Sequence, residues 1–180
     1  MKTVFFDVDT QNDFMLPSGA LYVPKAEFII PTVARLNHHA ICRGLPLIST
    51  ADAHREDDPE FAQWPPHCVA GTIGQQKPPS TQQGQSIVTK QVLDCFQAPE
   101  LEPLLASLGA DTYVVYGVVT EICVRFAAFG LLGRGKTVTI VTDATQSINS
   151  AEADRMYQEF VASGGRLATS DSILALHARA

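Results

Sequence analysis

Two hydrophobic rhythms alternate along this chain, and that alternation limits its fold more than any other feature. Short β-branched apolar runs occur at 3–6, 46–49, 86–89, 113–116 and 137–141, and more weakly at 166–169. Patterns of helical period fill most of the gaps, at 25–43, 99–108, 120–132 and 150–162, with a last short one at 172–178. The runs at 113–116 and 137–141 are almost wholly apolar, as expected of parallel strands buried on both faces. Strand–helix–strand alternation predicts an α/β chain, a three-layer α/β/α sandwich around a mostly parallel, Rossmann-like sheet of about six strands. A length of 180 residues suits a single domain spanning 1–180. Two stretches fit no regular element. One, 52–68, is rich in charge, His, Pro and Trp; the other, 71–85, is mostly Gly, Gln, Pro, Ser and Thr. Each reads as a binding loop or lid, and a solvated loop is an equal reading of the second.

Composition narrows the partners. The net charge is −6 and no Lys/Arg cluster stands out, which argues against nucleic acid and anionic membranes and leaves small molecules. No apolar run approaches the roughly 20 residues of a membrane helix. The apolar start is too short for a secretory segment and lacks its cleavage site. Cys42, Cys68, Cys95 and Cys123 are unevenly spaced, so the expectation is a reduced, cytoplasmic protein without a disulfide framework.

In sheets of this kind ligands bind at the edge where the strands end. Asp9 follows the first run, Asp52 and His54 the second, Lys90 ends the third, and Cys123 follows the fourth. Chance places one or two reactive side chains at that edge more easily than four.

Cys123 lies in GVVTEICV, where Gly117 ends a buried strand and Thr120 is suited to cap the next helix. The positive end of a helix lowers a thiol's pKa, and free backbone N–H groups there can receive an oxyanion. A lone helical Cys packs as a small hydrophobe just as well; its place at the sheet edge favours a nucleophile. Asp9 can take a proton from such a thiol and pass it to a leaving amine. Lys90 can keep both groups charged. Asn12 and Asp13, beside Asp9, read as turn-building residues. Asp52, His54 and His67 have the ligand types for a divalent transition metal, with zinc first and iron or manganese as alternatives, and Glu60 is a possible fourth ligand. Trp64, in the Pro-flanked WPPH loop, can present its face to a planar ligand or pack internally. Cys68 reads as structural.

Taken together, DTQNDF with SGAL after it, DAH, WPPHCVAGT, a strand ending in Lys90, and GVVTEICV resemble the isochorismatase-like cysteine hydrolases. Within that family the resemblance is closest to the nicotinamidase/pyrazinamidase group, and the motifs keep the family's order from residue 3 to about 145. The resemblance implies a catalytic triad of Asp9, Lys90 and Cys123. It also implies a metal on Asp52, His54 and His67, with Glu60 at a spacing used by some relatives, and a substrate ring held between Phe14 and Trp64. It further implies a cis peptide between Val118 and Val119, with the N–H groups of Val119 and Cys123 forming the oxyanion hole. The activity so implied is hydrolysis of nicotinamide through a cysteine thioester. A related amidohydrolase for another small amide or carbamoyl compound is the alternative, and a non-catalytic binding module on the same fold is an alternative of another class. Relatives are often homo-oligomers. Gln91 stands where nicotinamidases commonly have Gly, Glu121 stands where they usually carry Asp, and the 71–85 loop is compact.

Overall fold

The computed structural model of the chain describes residues 2–177. Six strands form one sheet: β1 (Thr3–Val8), β2 (Leu47–Asp52), β3 (Ser86–Lys90), β4 (Thr112–Val118), β5 (Thr137–Gln146) and β6 (Arg166–Ala168). All neighbours are parallel, in the order β3-β2-β1-β4-β5-β6. The helices are α1 (Asn12–Met15), α2 (Ile30–Cys42), α3 (Leu101–Leu108), α4 (Arg125–Gly133), α5 (Ser150–Ala162) and α6 (Ser170–His177).

The pleat sorts the strands' side chains into two cores. On one face Val4, Phe6 and Val8 of β1 join Tyr113 and Val115 of β4 under α3, α4 and α5. On the other, Phe5 joins Val114 and Tyr116 under α2 and α6. Because both faces are covered, the central strands need no polar alternation, which is why they read as continuous apolar runs. The outer strands β3 and β6 are more exposed, and Ile87 on β3 is half in solvent.

The sequence reading differs from the structure mainly at element ends. The helix expected over 25–43 begins as a 3-10 turn, Ala26–Ile29, preceded by Lys25 at φ 69°. The α-helix proper starts at Ile30, with Pro31 in its first turn, where a missing N–H costs nothing. The helix expected over 120–132 opens as a wide π-type turn, Thr120–Val124, before α4. Thr120 is not its cap: Val119 holds that position and makes no side-chain capping bond. β5 runs past its expected end at Val141 to Gln146 because a register shift against β4 carries the pairing on. The short α1 was not foreseen, and the expected final helix residue, Ala178, lies outside the described residues.

Order β3-β2-β1-β4 means that the chain turns opposite ways on leaving β1 and β4. The crevice at their C-terminal ends is the topological switch point, the usual ligand position in such sheets. Gly117 allows the two strands to meet there: its φ is +122°, and a Cβ would lie 2.0 Å from the Val8 carbonyl oxygen.

Candidate active site

Four strand ends deliver the site. Asp9 follows β1 in a left-handed conformation, φ 49°, which Asp tolerates better than most residues. Asp52 and Lys90 end β2 and β3 as paired residues in the parallel register. Cys123 sits in the π-type turn after β4. All four are buried.

Lys90 bridges the group. Its Nζ lies 2.8 Å from Asp9 Oδ2, hydrogen-bonds Asp52 Oδ1, and stands 3.9 Å from Cys123 Sγ. Burial raises the pKa of Asp9, and the Asp52 carboxylate adds to the rise against the pull of Lys90. At Asp52 burial also pushes upward, but Lys90 and His54 outweigh it and hold the carboxyl below its usual range. Lys90 loses to burial and regains more from Asp9, Cys123 and Asp52, so it stays charged.

The sign at Cys123 is opposite to the sequence expectation. Burial drives its thiol well above the ordinary range, Asp9 and Asp52 push the same way, and Lys90 opposes them. Asp9 is within hydrogen-bonding reach of the thiol. The sequence argument counted the helix terminus and left out desolvation and two nearby carboxylates. The resting sulfur therefore keeps its proton, and a base must remove it during attack. Cys68 and Cys95 are buried as well, and burial pushes Cys95 up to about 12. Cys123 alone among the cysteines lines the cavity at this sheet edge.

Beside Lys90, the ligand atoms of Asp52, His54 and His67 lie within 4.8 Å of one another, and all three residues are buried. Asp58 Oδ2 sits 3.0 Å from His54 Nδ1, and His67 Nδ1 lies 2.8 Å from the Pro65 carbonyl oxygen. Both rings are thereby turned so that Nε2 faces Asp52, at 3.9 and 4.0 Å. His54 Nε2 is buried and has no hydrogen-bond partner. A buried imidazole nitrogen left unpaired beside a carboxylate suits a cation, and the outer partners on Nδ1 are the usual support of a metal-binding His. The donor set fits a divalent metal. Glu60 stands at the edge, its Oε1 4.0 Å from His67 Nε2 and its side chain partly exposed, outside the tight group.

One small cavity joins the two centres. Cys123, Asp52 and His67 line it, together with Phe14, Trp64 and Glu60 and the apolar Leu21, Val23, Val119 and Ile122. Phe14 also packs on the His67 ring at 5.4 Å between centroids. The Val118–Val119 peptide at its floor is cis. The site residues read from the sequence thus converge.

Sequence reasoning missed the supports. Gln11 clasps Asp52 from both sides, accepting from its N–H and donating to its carbonyl, each at 2.7 Å. Asp13 accepts from the N–H of Ala20 at 3.0 Å and of Cys68 at 2.7 Å, which ties the histidine loop to the loop after β1. The turn-building reading of Asp13 was right in kind but too local. Asp58 was one of several acids in the stretch REDDPE, and nothing in its spacing separated it from Asp57.

A parallel sheet that gathers a Cys, a Lys and an Asp where its strands end has the plan of an α/β enzyme with its site at the switch point. The isochorismatase domain family matches residues 3–172, and the chain belongs to that family. It is 27% identical to the nicotinamidase of Escherichia coli, over 90% of this chain and 92% of that protein. Among solved structures it superposes on the zinc-complexed pyrazinamidase of Pyrococcus horikoshii with a TM-score of 0.88, at 28% identity over 94% of this chain and 99% of that one. The N-carbamoylsarcosine amidase of Thermoplasma acidophilum gives 0.84, at 28% identity over 95% and 98%. Relationship to amidases along nearly the whole chain supports an amide-hydrolysing activity.

Proposed function

We propose that this protein hydrolyses nicotinamide to nicotinate and ammonia, as a cytoplasmic step of NAD salvage. The observation that carries this reading is the shared cavity, in which a nucleophile candidate, a metal-ligand set and two aromatic faces meet. A flat ring with a heteroatom on one side and a carboxamide on the other uses all three; an aliphatic amide uses only the first.

In this reading Asp9 takes the Cys123 proton as Sγ attacks the carboxamide carbon. The oxyanion rests on the N–H groups of Val119 and Cys123, contacts worth about 3 kcal/mol of barrier each. The C–N bond breaks, and ammonia leaves with the proton from Asp9. Asp9 then removes a proton from water as its oxygen attacks the thioester, and the departing sulfur takes that proton back. Lys90 keeps Asp9 ionised between the two transfers. Asp52, His54 and His67, with Glu60 beside them, would hold one divalent metal, zinc before iron or manganese, which supplies a Lewis-acidic contact for the ring nitrogen. Phe14 and Trp64 hold the ring.

Similarity to a carbamoylsarcosine amidase keeps a related aliphatic or carbamoyl substrate as the second reading. A non-catalytic module would have no use for a buried Asp9–Lys90 ion pair beside a thiol. Ammonia release over a panel of nicotinamide, pyrazinamide and aliphatic amides decides the matter: a preference for the aliphatic members would overturn the proposed substrate and leave the chemistry in place.

A further inference from the structure

One cavity wall comes from outside the motifs. Ile148 lies on the short connection between β5 and α5, lines the cavity with Cys123, and is 48% exposed. Its side chain belongs to neither apolar core, so packing does not fix it. Polar bonds to its backbone do. The N–H groups of Ile148 and Asn149 both donate to Glu121 Oε1, at 2.9 and 2.7 Å. Asn149 in turn caps α5, its Oδ1 accepting from Ala151 and Glu152. Gln146, just before, donates to the Pro24 carbonyl at 2.9 Å and so ties this wall to the segment bearing Leu21 and Val23.

Glu121 stands two residues before Cys123 in the same turn. A single carboxylate thus sets the distance between the sulfur and a large apolar side chain across the cavity. We propose that Ile148 is a specificity-determining residue that limits the size of the acyl group, and that Glu121 is the positioning residue that holds it there. This rests on reading Cys123 as the nucleophile, not on nicotinamide as the substrate. Shape at such a wall is worth about 10- to 200-fold in discrimination per methylene-sized change.

The test uses the thiol itself, on the full chain with Cys42→Ala, because Cys42 is the exposed cysteine. Alkylation of Cys123 is followed by peptide mass mapping with iodoacetamide and with its bulkier N-phenyl analogue, which share one reactive group. Ile148→Ala should raise the bulky-to-small rate ratio by about tenfold or more. Glu121→Ala should raise it similarly and speed hydrogen exchange at residues 148 and 149, while Glu121→Gln, which keeps a carbonyl acceptor, should restore a ratio near the parent's. The kcat/KM ratio of ring-substituted to plain nicotinamide should move the same way. An unchanged ratio in Ile148→Ala overturns the wall. Equal slowing of both reagents in Glu121→Ala overturns the positioning role, since it would mark a support of the nucleophile's turn. Absence of Cys123 labelling in the folded parent protein even at alkaline pH overturns the nucleophile reading and this inference with it. Failure to hydrolyse nicotinamide with the ratio shift intact would remove only the proposed substrate.

Discussion

The chain buries two aspartate–lysine pairs two residues apart on β1 and its exit, and they are built on opposite plans. Asp7 points to the α2 face, where Thr10 Oγ1 donates to it at 2.7 Å, Asn37 Nδ2 at 2.9 Å, and Lys77 Nζ pairs with it at 3.1 Å. Asn37 is held in turn by the Tyr116 hydroxyl, at 2.6 Å. Asp9 lies 2.8 Å from Lys90 Nζ with the Cys123 thiol in reach, and no further donor ties either of its oxygens. One carboxylate is saturated with donors; the other is left with an ion pair and spare acceptor capacity. A saturated network fixes structure, and an unsaturated one is ready to take a proton. Lys77 shows what the saturated pair does: it pins the 71–85 loop, whose backbone carbonyls at Ile73, Gly74, Gln75 and Gln76 receive donors from residues 11–13. That loop is therefore a buttress under the Asp9 turn, neither a lid nor a solvated excursion.

The sharpest break of the comparison is at the sulfur. Cys123→Ala should abolish ammonia release, a loss on the order of 10⁴-fold or more, with an unchanged urea midpoint. Near wild-type release would end the covalent reading. Next come the two aspartates, which should trade effects. Asp9→Asn removes the base and keeps the shape, so turnover should fall by about 10²- to 10⁴-fold while stability stays level or rises. Asp7→Asn leaves Lys77 buried without its counter-charge and should cost about 3 kcal/mol in urea unfolding, with far less effect on kcat in the folded protein. If both variants lost stability equally and kept activity, the contrast between saturated and reactive carboxylate would be wrong.

A smaller effect is expected at the metal ligands' supports. Protein purified without chelator should carry about one transition metal per chain by elemental analysis. Asp58→Asn, which loosens the His54 ring without touching a ligand, should lower metal affinity about 10- to 100-fold in a competition titration with a chromogenic chelator. Full activity in strong chelator, with no metal found, would favour the aliphatic-amide reading.

These contrasts also mark what the sequence could tell. The strands were legible because burial on both faces writes an unbroken apolar run, as in YVVY of β4, and the site was legible because strand ends concentrate its residues. Asp7 gave no such signal. It stands inside an apolar strand, and its network, Asn37 and Lys77 with Tyr116 behind Asn37, comes from three distant segments that only the fold brings together. Glu121 and Asp58 were hidden for a similar reason: each acts on a backbone or ring nitrogen, and no spacing rule marks a carboxylate by its acceptor geometry. The pKa of Cys123 was read with the wrong sign because a helix terminus is visible in sequence and desolvation by neighbours is not.

Cys123 therefore supplies the subtlest test of the reactive cluster. Burial, Asp9 and Asp52 all disfavour its thiolate, and Lys90 is the cation that opposes them. Thiolate is the species that iodoacetamide traps, so the alkylation rate should climb only on the alkaline side of an ordinary cysteine's profile. Lys90→Ala removes the sole opposing charge among these groups and leaves Asp9 and Asp52 facing the sulfur. The folded-state pKa then rises further, and the profile should move to still higher pH, slowing alkylation at neutral pH. Lys77→Ala, across the sheet, removes an equal charge from the saturated pair and should leave the profile in place wherever the variant remains folded. The measurement is the pH dependence of Cys123 alkylation in the Cys42→Ala background for the parent and both variants. Superimposable parent and Lys90→Ala profiles would show that the lysine at 3.9 Å does not govern the sulfur, and the two aspartate–lysine pairs would then differ in geometry but not in chemistry.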